Sequence, residues 1–345
     1  GLATPMAIVV GAGRGAQAGV LYRNAEALER TAAVSVLFVD KTGTLTEGKS
    51  TVVEVRPEEG YSERDLISAA SAVEQHSEHP LAAAVVRVAR ERGIQSFRTE
   101  NFRSITGKGV QAEINGHTLR VGSAEWLRSV GVGGVRDTEA EESSVIHVSS
   151  DGEYLGFLAI ADPIKTNARQ AIRILEEQGF HVRMLTGDRE AVASAVARRT
   201  GVREYEAGVT PERKREVVRE ARQHGAVVAM AGDGINDAPA LADADVGIAM
   251  GGGTDIAMQA GNVTLLRGDL YGIVRARKLS VAVVRNIRQN LFFAFIYNAI
   301  GVPIAAGVLY PVFGIVLSPM FAAAAMSLSS VSVIANALRL RRIEL

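Results

Sequence analysis

Short apolar runs alternate with polar, helix-patterned segments over much of the chain. Residues 34–39 (VSVLFV) end at Asp40 and lead into the polar turn DKTGTLTEGK. That is the pattern of a strand buried on both faces. HVRMLTGD ends at Asp188, GAVVAMAGDGIND reaches Asp233, Asn236 and Asp237, and ADVGIAMG ends in glycines. Helical patterns lie between these runs, at 166–178 and 189–200. The alternation predicts a doubly wound parallel sheet, an α/β fold whose chemistry sits just past the carboxyl ends of its strands. Asp40, Thr186, Asp188 and Asp233 stand at such ends. Residues 48–159 break the rhythm with VQAEING, HTLRVG, SVIHVS and YLGFLAI around one or two helices. They predict an α+β domain inserted into the first.

Toward the C-terminus the pattern changes again. Residues 289–338 carry no charged side chain. A membrane helix needs about 20 apolar residues, so the stretch fits two helices with a turn at 307–314 (GVLYPVFG). Arg285 and Arg288 precede it, and Arg339, Arg341 and Arg342 follow it. By the positive-inside rule both ends face the cytoplasm. A buried soluble helical hairpin is the alternative. The N-terminus has no basic start and no cleavage pattern. Its thirteen uncharged residues before Arg14 are too few for a span, and the expectation is the cytoplasmic end of a longer helix in a fragment.

Composition narrows the classes. The chain has 345 residues, length for two or three domains at about 150 each. Lys+Arg and Asp+Glu are both 38, so the formal net charge is zero, which disfavours a general nucleic-acid binder. Hydrophobic residues are 47% and charged residues 22%, unlike a disordered chain. There is no Cys, hence no disulfide framework, cysteine zinc site or cysteine nucleophile.

Asp40 is the leading candidate for chemistry. A carboxylate at a strand end, followed by Lys41, Thr42 and a Thr/Gly turn, suits covalent phosphoryl transfer. Backbone N–H groups of such a turn cradle phosphate oxygens. Asp233 and Asp237 are placed to hold Mg²⁺ beside it, Lys214 to offset negative charge and Thr186 to donate to a phosphoryl oxygen. A single Asp at a strand end is more often a helix N-cap. Here several strand ends carry the same type of polar group.

DKTGTLT (Asp40 to Thr46), MLTGD (Met184 to Asp188) and GDGINDAPAL (Gly232 to Leu241) resemble the P-type ATPases in sequence, order and approximate spacing. The resemblance covers essentially the whole chain. It implies an α/β haloacid-dehalogenase-like phosphorylation domain with an inserted α+β nucleotide-binding domain, plus transmembrane helices. The divisions expected are 1–33 (helix end and stalk), 34–47 and 160–275 (phosphorylation domain), 48–159 (nucleotide-binding domain) and 276–345 (stalk and two membrane helices). Asp40 would be phosphorylated, with Lys41 and Thr42 beside it. Asp233 and Asp237 match the magnesium motif and, with Asp40 and Thr42, would form the Mg²⁺ site. Asn236 stands within the same motif as a cofactor contact. Thr186, Gly187 and Asp188 match the phosphate-side motif, and Lys214 in TPERK the family's lysine.

SEHP (Ser77 to Pro80), with Glu74 five residues before His79, and TGKGV, with Gly107 and Gly109, resemble the heavy-metal (P1B) branch. By that analogy His79 orients the adenine end of ATP, Glu74 hydrogen-bonds the base and the two glycines allow close backbone approach. Ala112 stands at the third glycine of the usual motif, and Ser123 where the family often has Asn. NLFFAFIYN and MSLSSVSVIANALRL look like the copper(I) subgroup. Tyr297, Asn298, Met326 and Ser330 are then the candidate copper ligands. Met326 and Ser330 share a helix face, and a thioether suits Cu(I) better than Zn²⁺. Met filling packing gaps and Ser bonding its own helix is the plainer alternative. GLATP matches the segment after a Cys-Pro-Cys helix. A missing N-terminal half with that helix and an actuator domain is implied, along with membrane lipid and a copper chaperone as partners. The resemblance implies an integral protein of a bacterial-type plasma membrane, with cytoplasmic catalytic domains, driving ATP-dependent Cu(I) export. Competing expectations are a Zn/Cd pump, a membrane-anchored phosphatase of the haloacid-dehalogenase type, and a degenerate copy with an inert or regulatory role. The phosphatase reading is weakened by Thr42, which stands where such enzymes carry a second Asp as general acid.

Overall fold

Leu37, Phe38 and Val39 are wholly buried because the strand that carries them, Val36–Asp40, is paired on both edges and covered on both faces. Its neighbours are Val228–Gly232 and His181–Leu185, each parallel to it. The computed structural model describes residues 3–77, 79–95, 97–105, 107–136, 143–251, 254–308 and 319–345, and not the side chains of 80, 235, 305 and 319–326. It divides into two compact units, residues 1–44, 167–187 and 201–345 forming one and residues 45–166 and 188–200 the other.

The first unit holds a seven-stranded sheet. In spatial order the strands are Val20–Tyr22, Val263–Leu265, Val246–Met250, Val228–Gly232, Val36–Asp40, His181–Leu185 and Glu204–Glu206. All adjacent pairs are parallel except the edge pair Val20–Tyr22 with Val263–Leu265. The central strands Val36–Asp40, Val228–Gly232 and Val246–Met250 are near-continuous apolar runs rather than alternating, as sheets covered on both faces require. Helix Ala168–Glu177 buries Ala168, Ala171, Ile172 and Leu175, the i, i+3, i+4, i+7 stripe of an amphipathic helix. Helix Pro211–Gln223 buries Lys214, Val217 and Val218. The two valines join Phe38, Leu185, Met230 and Leu241 in one core. A parallel α/β fold is therefore observed where the sequence predicts it.

Three further helices belong to this unit: Ala3–Gln17, Tyr271–Ala305 and Pro319–Leu338. Ala7, Val10, Leu279, Val283 and Ile287 pack together with Leu28 and Leu340. A Cβ on Gly11 would collide with Val283, so the first helix approaches the long one closely at that point. Three buried asparagines tie the helices together. Asn286 donates to the Asn336 carbonyl (2.8 Å), Asn290 to Asn286 Oδ1 (3.1 Å) and the Ala3 carbonyl (3.2 Å), and Asn336 to Asn290 Oδ1 (2.9 Å). Each such bond contributes about 1 kcal/mol, and leaving one buried amide unpaired costs more.

The expectation of two apolar spans is corrected here for the described residues. No helix among them is long and apolar enough to cross a membrane. The 35-residue helix carries Arg275, Arg277, Lys278, Arg285 and Arg288 in its first half, and Asn290, Tyr297, Asn298 and Pro303 interrupt the second. The expected turn from 309 onward lies outside the described residues, as do the side chains that open the last helix.

The second unit holds a six-stranded antiparallel sheet in the order Thr51–Pro57, Glu153–Ala161, Ser144–Ser150, His117–Gly122, Gly109–Ile114 and Glu100–Ile105. Helices Glu63–Glu74 and Pro80–Glu91 contribute Leu66, Ile67, Val73, Val85 and Val88 to its core, which the sheet completes with Val121, Val148 and Leu158. The first helix starts on a full capping box, Ser62 and Asp65 each bonding the other's backbone N–H, which fixes where it begins.

Candidate functional site

Asp40 is the last residue of the central strand, so its side chain emerges at the carboxyl edge of the sheet. Beyond it the chain leaves regular geometry. Thr42 is extended (φ −72°, ψ 130°) and Gly43 left-handed (φ 68°). Space dictates glycine at that second position, since a Cβ on Gly43 would collide with the Asp233 carboxylate. Asp233 follows the neighbouring strand Val228–Gly232, and Asp237 ends the short turn Ile235–Asp237. A Cβ on Gly232 would lie 2.6 Å from Asp237 Oδ2. Gly43 and Gly232 thus let three carboxylates crowd together, with oxygen atoms of Asp40, Asp233 and Asp237 all within 4.8 Å of one another.

Lys214 completes the group. Thr210 caps its helix by accepting from the Arg213 N–H, and Lys214 sits in the first turn, buried at 6% exposure. Its Nζ donates to Asp40 Oδ1 (2.5 Å) and Asp237 Oδ1 (2.8 Å). The adjacent Arg213 points away, held by Glu206 and Glu220 at 2.9 Å each. Burial, then the Asp237 charge, push the Asp40 carboxyl up to about 7, against the pull of Lys214. Burial alone would lower Lys214, but the charges of Asp40 and Asp237 outweigh it and raise the ammonium. Thr186, 2% exposed, follows the strand on the other side of Asp40. Its N–H donates to the Glu206 carbonyl (3.1 Å), and its carbonyl accepts from the Val209 N–H (3.0 Å).

These numbers bear on whether a divalent cation suits the site. At an effective dielectric of about 20, two carboxylates 4–5 Å apart repel by about 3–4 kcal/mol. One ammonium against three carboxylates leaves two negative charges, the charge of one Mg²⁺. The donors are hard oxygens, as Mg²⁺ prefers. Gly43→Ala tests the packing. It should destabilise the parallel-sheet unit by about 1–2 kcal/mol through the positive φ alone, and lower its affinity for Mg²⁺ by displacing Asp233. Denaturant unfolding with and without Mg²⁺ reads both. Wild-type stability with wild-type Mg²⁺ dependence would contradict the crowding.

Lys41 is half-buried, and Thr42, Gly187 and Asn236 are exposed. Asp188 is half-buried and groups with the second unit. Glu74 closes helix Glu63–Glu74 and is buried at 6% exposure. His79 is exposed and caps the next helix, its Nδ1 accepting from the Leu81 N–H at 3.2 Å, which leaves the ring hydrogen on Nε2. Gly107 turns with φ 72° into open space, whereas Gly109 lies against Val121, Gly122 and Trp126, where no Cβ fits. Ser123 caps helix Ala124–Ser129 by accepting from the Trp126 N–H. Glu78 and Thr106 of the two motifs lie outside the described residues. Tyr297, Asn298 and Ser330 are exposed, and Asn298 donates to the Ala294 carbonyl of its own helix. The described residues do not show these three gathered at one point, and the Met326 side chain lies outside them.

Residues 34–245 match the family model described as haloacid dehalogenase-like hydrolase. Over its whole length the chain is 52% identical to the silver exporting P-type ATPase of Salmonella typhimurium and covers 43% of that protein. It is 50% identical to the copper-exporting P-type ATPase of Legionella pneumophila, again over its whole length and 48% of the relative. Among solved structures it resembles a zinc-transporting PIB-type ATPase in an E2.Pi state, with a TM-score of 0.85, 35% identity, and coverage of 99% of this chain and 55% of that one. The chain thus spans about half the length of the relatives it matches. The chain belongs to the haloacid dehalogenase-like hydrolase family, and its likeness to heavy-metal P-type ATPases runs along its full length.

Proposed function

We propose that this chain is the catalytic and C-terminal membrane part of an ATP-driven exporter of Cu(I), and that Asp40 accepts the γ-phosphate of ATP. The observation that carries the reading is the contact of Asp40 with Lys214 inside the ring completed by Asp233 and Asp237. An Asp40 carboxylate oxygen attacks the γ-phosphorus. The bond from that phosphorus to the β–γ bridging oxygen breaks, and ADP leaves with the electron pair. The product is an acyl phosphate on Asp40. Lys214, already donating to Asp40, follows the transferred oxygens as charge moves onto them, with Thr186 and Gly187 at the next strand end, and the motif resemblance adds Asp188 as a phosphate-side residue. When bound, Mg²⁺ held by Asp40, Thr42, Asp233 and Asp237 would neutralise charge on the phosphates. Lys41 adds a second cation beside the nucleophile, and Asn236 a polar contact for the nucleotide. With Thr42 rather than a carboxyl two residues after Asp40, no general acid stands ready to speed hydrolysis. Incubation with Mg²⁺ and γ-labelled ATP, followed by acid quench, should leave label that hydroxylamine releases. Label that resists hydroxylamine, or none, would refute the reading.

The second unit supplies the nucleotide end, with Glu74, His79, Gly107 and Gly109 as its contacts. Burial pushes the Glu74 carboxyl up to about 7, with the Ser77 hydrogen bond opposing. The folded chain therefore keeps a proton that the unfolded chain loses near pH 4.5, and stability falls as pH rises from there to about 7, then levels off. Glu74→Gln should remove this slope, stabilise the unit at pH 8 by about 3 kcal/mol, and weaken binding of a non-hydrolysable ATP analogue about tenfold. Unfolding at pH 5 and pH 8 with calorimetric titration measures both. An unchanged slope or unchanged affinity would contradict the assignment.

No helix among the described residues is long and apolar enough to cross a membrane, but Leu291, Phe292, Phe293, Phe295, Ile296, Ile300 and Val302 are all exposed on one helix, and this apolar face is proposed to meet lipid. Covered by lipid they cost nothing, and in water they form a large apolar patch. Tyr297, Asn298, Met326 and Ser330 are proposed as Cu(I) contacts on these helices, in a bacterial-type plasma membrane with both units in the cytoplasm. Transport would need the remainder of the pump, with its actuator and Cys-Pro-Cys segments, and a copper chaperone as the source of cargo.

A further inference from the structure

The long helix changes character at Asn290. Arg285 and Arg288 stand before it, exposed, and a continuous run of exposed apolar residues opens directly after it with Leu291, Phe292 and Phe293. At this boundary a cavity of about 250 Å³ is lined by Arg285, Gln289 and Arg339, with Ala282, Leu340 and Ile343 supplying an apolar floor. No carboxylate lines it. The Gln289 Oε1 accepts from Asn336 Nδ2 (3.4 Å), which leaves the Gln289 amide to donate elsewhere. Arg339 donates to Asn336 Oδ1 (3.3 Å), one of the buried asparagines that lock the helices. Arg14 donates twice to the Ile343 carbonyl, at 3.2 and 2.9 Å, and so fixes the floor. The cavity is therefore built on a fixed frame, and its polar lining is two guanidiniums and the carboxamides of Asn286 and Gln289.

Arg285, Gln289, Phe292 and Ile296 follow one another at i, i+4, i+7 and i+11, on a single helix face. Phe292 is 61% exposed and Ile296 41%. The same face thus passes from guanidinium to amide to bare hydrocarbon within three turns. We propose that the cavity between Arg285 and Arg339 binds the phosphate headgroup of an anionic phospholipid, whose acyl chains lie along Phe292 and Ile296. The proposal rests on the membrane reading of this helix. A free phosphate would use the donors but leave the apolar continuation without purpose, whereas a lipid uses both.

The test is titration of the purified 345-residue chain, in zwitterionic detergent, with phosphatidylglycerol, phosphatidylcholine and glycerol phosphate, read by native mass spectrometry and by flotation with vesicles. Phosphatidylglycerol should bind at least about tenfold more tightly than phosphatidylcholine. Each of Arg285→Gln and Arg339→Gln should weaken it about fivefold, and the double variant about 25-fold. The double lysine variant should keep most of the affinity, and Arg173→Gln, an exposed arginine on another helix, should change nothing. Equal binding of the two lipids, an unaffected double variant, or displacement by glycerol phosphate at equal concentration would overturn the headgroup site. Chain that floats with vesicles of both compositions but shows no preference would overturn this site alone. Chain that floats with neither would overturn the membrane reading as well.

Discussion

Asp40→Asn should reduce incorporation of label from γ-labelled ATP to background while leaving the fold intact. The amide cannot attack phosphorus, and no other carboxylate ends the central strand. The substitution also removes one of three crowded negative charges, and Lys214 keeps Asp237 as its partner at 2.8 Å. Stability should therefore hold or rise, because the charged form of Asp40 is the one that burial and Asp237 disfavour. The two readouts separate a catalytic loss from a folding loss. Label persisting in a folded variant would remove Asp40 from its role. Loss of label together with unfolding would show that the carboxylate is structural.

Lys214→Ala should act in the opposite way on stability. It leaves Asp40 and Asp237, both nearly buried, without their shared cation. Removing one partner of a buried ion pair costs about 3–5 kcal/mol, and here two carboxylates lose the same partner. Denaturant unfolding should show a loss of about 3 kcal/mol or more, partly restored by millimolar Mg²⁺, which supplies the missing positive charge. Label incorporation at saturating Mg²⁺ should fall about a hundredfold. A variant as stable as the parent without Mg²⁺ would mean that the carboxylates are already neutral. One that is destabilised but labels normally would confine Lys214 to the fold.

The parts of this site legible in the sequence are those written within single strands. VSVLFV followed by Asp40 and VAMAGD ending at Asp233 are apolar runs that end in a carboxylate, and a parallel sheet brings such ends to one edge whatever the chain order. Lys214 is named by its TPERK motif, not by periodicity. It lies 174 residues from Asp40, and periodicity does not reveal whether Arg213 or Lys214 turns inward. Helical phase, set by the Thr210 cap, decides it. Gly43 and Gly232 read as ordinary turn and strand-end glycines, and their purpose appears only when Asp233 and Asp237 occupy the space a Cβ would need. The edge strand Val20–Tyr22 and its neighbour Val263–Leu265 are three residues each, too short to leave an alternating pattern. The C-terminal helices show the limit of charge counting. Fifty uncharged residues suggest hydrocarbon throughout, but Asn290 and Asn336 spend their amides on a buried network that locks helix register at the boundary. His79 and Ser123 both serve as helix caps, a local duty that for His79 the following Pro80 already suggests.

The central claim is that phosphate from ATP becomes bonded to one named atom group. The most direct measurement is to trap the acid-quenched product of the Mg²⁺–ATP reaction with borohydride, which reduces an acyl phosphate to an alcohol, and to map the modified peptide by mass spectrometry. Homoserine is expected at position 40, in the peptide that carries DKTGTLT, and none when ATP is omitted. Modification at another carboxylate, or ATP consumed with residue 40 unmodified, would contradict it.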